Sequence, residues 1–163
     1  MKSKEISFSW KEFDDISELD QPDRELLSAA IEATSDAYAP YSGFQVGAAV
    51  MLENGQVVTG SNIENAAFPS GICAERNALS TCSSMYPGII PTAMAIAAIT
   101  SDEVIADNVS PCGNCRQFIA EEEYRHGKSI RIILGGSSKI RIIEKGGDLL
   151  PLQFNRDSLK VIP

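Results

Sequence analysis

A chain of 163 residues, 44% hydrophobic and 22% charged, has the length and composition of one soluble globular domain with a proper core. Its net charge of -8, with the basic residues scattered, argues against a nucleic-acid partner, because phosphate binding needs clustered Lys and Arg. The most apolar run, 93–99, is too short to span a bilayer, and the start lacks a basic region followed by an apolar run, so neither a membrane partner nor a secretory leader is expected.

Residues 1–21 are polar and acidic with scattered Phe8, Trp10, Phe13 and Ile16, and read as an N-terminal extension loosely attached to a domain over 22–163. A helix opens at Asp20 or Pro22, with Leu26, Leu27, Ala30, Ile31 and Ala33 on one face. It ends by Tyr38, ahead of the turn cluster 39–43. Strands follow over 44–52 and 56–62, joined at Glu53-Asn54-Gly55, a hairpin signal. A second helix runs from Cys73 to about Tyr86, where Pro87-Gly88 ends it. The small apolar run 93–100 is expected as a strand buried on both faces. A third helix covers 112–125 and stops near Gly127, and the β-branched runs 130–134 and 140–143 are strands separated by Gly135-Gly136. This order implies an α/β fold, a three-layer α-β-α sandwich around a mixed sheet of about five strands.

Chemistry concentrates in Cys73-Ala74-Glu75 and Pro111-Cys112-Gly113-Asn114-Cys115. Cys112 and Cys115 are three apart and share a helix face, and Pro111 suits a helix entrance. Cys73 takes the same place at the start of its own helix, so the positive end of a helix dipole favours each thiolate. Three ligands leave a tetrahedral zinc one open position for water, and Glu75 is placed to move that water's protons. Such a set reads as a hydrolytic zinc enzyme with one ion per chain. Arg76 and Arg116 lie three and four residues beyond Cys73 and Cys112, where either guanidinium could hydrogen-bond a thiolate and offset its charge.

Cys82, nine residues after Cys73, faces the other way and is expected to be a small buried hydrophobe. His126, the only histidine, is expected as a solvated side chain at a helix end rather than a fourth ligand. A structural zinc module would want that fourth ligand, and neither residue is well placed to supply it. Three cysteines at metal-ligand positions point to a reducing cytoplasm rather than to disulfides.

The strings 38–49 (YAPYSGFQVGAA), 62–66 (NIENA), 71–76 (GICAER) and 110–117 (SPCGNCRQ) resemble the small homotetrameric cytidine deaminases, over about residues 23–154. The resemblance implies that Cys73, Cys112 and Cys115 hold the zinc while Glu75 shuttles protons. Cytidine or 2′-deoxycytidine would be hydrolysed to the uridine nucleoside and ammonia, in cytoplasmic pyrimidine salvage. Asn62 and Glu64 would read the ribose, and their alternation with Ile63 at a strand end points both side chains one way. Backbone groups of Ala74 and Ser110 would hold the ring edge, Phe44 would form a pocket wall, and Ala66 would belong to the substrate-binding set. The ending 149–154 (LLPLQF) resembles one whose Phe reaches a neighbouring subunit's site, so Phe154 implies a homotetramer with shared active sites. Phe68 stands where many relatives have Tyr, and 1–21 has no counterpart. A deaminase of a cytosine nucleoside antibiotic is the alternative, against which Asn62-Ile63-Glu64-Asn65 argues.

Overall fold

Asp20 caps the first helix, α1 (Gln21–Ala33), by accepting the N–H of Asp23 at 3.0 Å, and Pro22 occupies its first turn. The chain is described here from a computed structural model, which covers residues 1–100, 103–104 and 109–159. Leu26, Leu27, Ala30 and Ala33 are buried on the face expected from their spacing. The helix tightens into a 3-10 turn at Thr34–Asp36, a few residues short of the expected end.

Two further helices follow, α2 (Ala74–Met85) and α3 (Gly113–His126). The strands are β1 (Lys11–Phe13), β2 (Gln45–Leu52), β3 (Val57–Ser61), β4 (Pro91–Thr100), β5 (Glu103–Val104), β6 (Arg131–Leu134) and β7 (Ile140–Ile143). They form one mixed sheet in the order β1-β7-β6-β4-β2-β3, with β5 paired to the end of β4. Only β4 and β6 pair in parallel among the described strands. The sheet therefore has seven strands rather than about five, the additions being β1 and the two-residue β5.

Strand alternation assigns the two faces. Ala49, Ala93, Ala95, Ala97 and Ile133 pack under α1, while Val50, Met94, Ile96 and Ile132 pack with α2 and α3 residues Leu79 and Ile119. The result is the expected α-β-α sandwich. Both helix layers lie close enough that a glycine is required beneath each. A Cβ on Gly47 would sit 2.0 Å from the Ala30 carbonyl of α1, and one on Gly60 would sit 2.5 Å from the Ala78 nitrogen of α2.

Gly127 ends α3 in the left-handed conformation, φ +65°, which costs a glycine nothing. One turn earlier, the buried Glu123 carboxylate accepts the N–H groups of Ile130 (2.7 Å), Gly146 (2.8 Å) and Gly147 (2.9 Å). This carboxylate joins α3 to the entry of β6 and to the 3-10 turn Gly146–Leu149.

The N-terminal segment is not loosely attached throughout. β1 pairs antiparallel with β7 at the sheet edge, and Phe13, Ile16 and Leu19 pack into the α1-side core. Glu12 pairs with Arg141, Asp14 with Lys139 and Lys11 with Glu144, while the Arg141 guanidinium lies 5.7 Å from the Trp10 ring centre. Exposed pairs of this kind contribute little each, so attachment rests on the ladder and the apolar anchors. Among the described residues no helix is long and apolar enough to cross a membrane.

Candidate active site and metal centre

The N-termini of α2 and α3 open at one end of the sheet onto a cavity of about 430 Å³. Cys73 and Cys112 are the N-cap residues of these helices, and Cys115 is in the first turn of α3. Neither side chain makes a capping hydrogen bond to its own helix, and the two sulfurs face each other. The Cys73 and Cys112 sulfurs are 3.8 Å apart, those of Cys112 and Cys115 are 3.4 Å apart, and all three lie within 4.8 Å of one another. Sulfurs at about 2.3 Å from a tetrahedral zinc would be about 3.8 Å apart, so these donors fit that ion with little movement.

The electrostatics agree with a cation site. Hydrogen bonds from Cys115 and Cys112, helped by the Arg76 charge, lower the Cys73 thiol to about 5. Cys115 is pushed up, because its proton is held between the sulfurs and it is buried. Arg76 donates to the Gly71 carbonyl at 3.1 Å, and its Nε is buried without a hydrogen-bond partner. Its charge lies beside Cys73 and helps to lower that thiol. Arg116 differs from expectation. Its Nε, Nη1 and Nη2 donate to the carbonyls of Pro111 and Leu149 and to Ser110 Oγ, not to a sulfur.

Glu75, in the first turn of α2, is only 5% exposed and lines the same cavity. Burial raises its pKa, and the neighbouring Cys73 charge adds to the effect. A buried carboxyl with a raised pKa is suited to exchanging a proton with a group in the cavity.

The opposite wall is built by the turn before β2 and the segment after β3. Glu64 accepts the Tyr41 N–H at 2.8 Å, and the Ser42 hydroxyl with that residue's N–H completes its anchorage. These bonds hold the Glu64 carboxyl below the usual range. Asn62 accepts the Val46 N–H at 2.8 Å and donates to the Phe44 carbonyl at 2.9 Å, leaving one amide hydrogen for the cavity. Phe44, Asn62, Glu64, Cys73, Ala74, Glu75, Ser110 and Cys112 thus meet around one space.

Two named residues are not brought there. Ala66 lies on the exposed loop beyond Asn65, and Phe154 is 58% exposed outside the lining, its carbonyl accepting from Gln117 Nε2 at 2.8 Å. Cys82 is buried in the core, and burial pushes its thiol up to about 11. His126 is not a solvated side chain: it is 13% exposed and lies 3.3 Å from Glu122 Oε2, one helical turn back. The reading from sequence missed Ser42, whose hydroxyl and N–H grip Glu64, and the lining residues Val46 and Ile72. The turn around Ser42 carried a signal, since successive N–H groups in a turn form an anion nest.

Residues 20–127 match the model of the family described as the cytidine and deoxycytidylate deaminase zinc-binding region. The chain belongs to this deaminase family. A cytidine deaminase of Halalkalibacterium halodurans is 45% identical over 99 residues, covering 59% of this chain and 68% of the relative. A cytidine deaminase of Mycobacterium tuberculosis is 36% identical over 82% of this chain and 90% of its own. The crystal structure of cytidine deaminase from Burkholderia pseudomallei superposes with a TM-score of 0.67 at 35% identity, over 80% of this chain and 97% of that one. Membership of the deaminase family makes the chain one of the zinc-dependent hydrolases, and the three-cysteine cluster is where its zinc fits.

Proposed function

We propose that the protein hydrolyses cytidine and 2′-deoxycytidine to uridine and 2′-deoxyuridine, releasing ammonia. The observation that carries this reading is the meeting of three sulfurs and a buried glutamate on one side of a cavity with Asn62 and Glu64 on the other. Cys73, Cys112 and Cys115 hold one zinc ion, which when bound supplies an activated water. Glu75 would take a proton from water and place it on ring N3 as the oxygen bonds to C4, then pass the proton of that new C4 hydroxyl to the amine, which leaves as ammonia when the C4–N bond breaks. Its buried position keeps the protons it carries away from bulk solvent.

The far wall orients the sugar. Glu64, fixed by Tyr41 and Ser42, accepts a ribose hydroxyl, and the remaining amide hydrogen of Asn62 donates to another. Backbone groups of Ala74 and Ser110 flank the base beside Phe44. Phe154, exposed on this chain, completes the base pocket of a neighbouring copy in a homotetramer. The physiological setting is nucleoside salvage in the cytoplasm. The deciding experiment is ultraviolet spectroscopy of the zinc-loaded protein with cytidine, reading conversion to uridine together with ammonia. Conversion is expected, and a zinc-loaded sample that leaves cytidine unchanged overturns the proposal.

A further inference from the structure

Arg116 sits at the fourth position of α3, one residue beyond Cys115, and its side chain turns back toward the helix start. Its guanidinium spends its donors on three groups in fixed directions. Nε donates to the Pro111 carbonyl at 2.8 Å, Nη2 to Ser110 Oγ at 3.0 Å, and Nη1 to the Leu149 carbonyl at 3.0 Å. The first two acceptors belong to the segment leading into Cys112, and Ser110 lines the cavity. The third belongs to a remote segment, at the root of the stretch that continues to Phe154. Gln117, the next residue, binds the far end of that stretch through the Phe154 carbonyl at 2.8 Å.

We infer that Arg116 is a positioning residue for substrate binding: it fixes the Ser110-Pro111 wall of the cavity and locks the root of the 149–154 segment to the same helical turn that carries Cys115. The inference rests on the deaminase reading for its kinetic consequence, though not for its structural one. Three acceptors lie around one planar fork, and a lysine at this place, with a single ammonium, cannot serve all three at those angles. The base-edge contact assigned to Ser110 is then only as well placed as the guanidinium behind it. Small displacements of a substrate-positioning group carry large kinetic costs. Arg76, by contrast, adjoins Cys73 and acts on the thiolate. The two arginines of these motifs thus divide the work between charge and position.

Arg116→Lys tests this with three readouts on the full-length, zinc-loaded protein. Zinc content is expected to match wild type, while KM for cytidine rises about tenfold and kcat stays within about threefold. Hydrogen exchange, followed by mass spectrometry, is expected to speed up in 109–112 and 149–154 while the core strands keep their protection. Unchanged exchange in both segments overturns the inference, as does zinc loss with KM unaltered, which would return Arg116 to the thiolates. Should that variant fail to fold, Ser110→Ala decides, because it deletes one acceptor only: faster exchange at 109–112 and a KM raised about threefold are expected, and no change in either is fatal. A wild type that leaves cytidine untouched refutes the deaminase reading, and the exchange comparison still judges the positioning role.

Discussion

The Ser42 hydroxyl lies 2.5 Å from one oxygen of Glu64, and its N–H lies 3.3 Å from the other. A residue of the turn before β2 therefore fixes the direction of the neighbouring Glu64 carboxylate and favours its ionised form. The lowered pKa of Glu64 comes first from that hydroxyl, then from the Tyr41 N–H. An acid with a lowered folded-state pKa contributes stability that is present above its ordinary value and lost as pH falls through the folded one. The KM for cytidine should accordingly stay flat as pH falls to the ordinary glutamate range of about 4.3. In Ser42→Ala the rise in KM should begin at higher pH. Steady-state kinetics across pH 4 to 8 check this, and identical profiles would detach Ser42 from the ribose site.

Glu75→Gln keeps the shape of the buried side chain and removes its ability to carry a proton. Fold and zinc content should persist while kcat falls by about 10²–10⁴-fold. Metal analysis alongside the assay separates the effects, and a variant retaining most of its turnover would remove the shuttle role.

With zinc stripped by a chelator, Cys73 should be the thiolate of the cluster, since its thiol is lowered to about 5. Iodoacetamide at pH 7 should label Cys73 first and leave Cys82 unmodified, because Cys82 is buried with its thiol pushed up to about 11. Restored zinc should suppress the labelling. Peptide mass mapping reads the order of modification, and equal labelling with and without zinc would exclude Cys73 as a ligand.

The two close-approach glycines allow a paired comparison. Gly47→Ala pushes against the Ala30 carbonyl at 2.0 Å and Gly60→Ala against the Ala78 nitrogen at 2.5 Å, and backbone on either side cannot yield cheaply. Each should lose on the order of 3 kcal/mol in urea unfolding. Only Gly60→Ala displaces α2, which begins beside Cys73 and carries Glu75, so only it should also lower zinc affinity.

Deleting residues 1–14 removes β1 and the Trp10 contact with Arg141, and leaves β7 as an open sheet edge. The shortened protein should melt several degrees lower and associate more readily in light scattering, with turnover per folded molecule preserved. An unaltered melting temperature would mean that the strand adds nothing to the fold.

Sequence patterns made the core elements and the metal cluster legible because both depend on spacing. Helical spacing placed α1, and a hairpin signal, an apolar run and β-branched runs placed β2, β3, β4, β6 and β7, within a few residues of their observed limits, while Cys112-x-x-Cys115 at a helix entrance placed two sulfurs together. Contacts made by single side chains over long separations left no such trace. Lys11–Phe13 is too short to show alternation, so its place beside β7 could not be read. Helical spacing put Arg116 near Cys112 but carried no information about Leu149, 33 residues away. Nothing in the spacing of Glu122 and Glu123 shows that one holds His126 and the other three backbone N–H groups.

That last carboxylate gives α3 the character of a lever. Glu123 pins the helix to β6 and to Gly146–Gly147, and Cys115 lies eight residues, about 12 Å, toward its working end. A substitution at 123 would move the fulcrum without touching substrate or metal, and the rigid helix would deliver that tilt to the sulfurs of Cys112 and Cys115. Some variants that disable this site should therefore map far from it, at the opposite end of one helix.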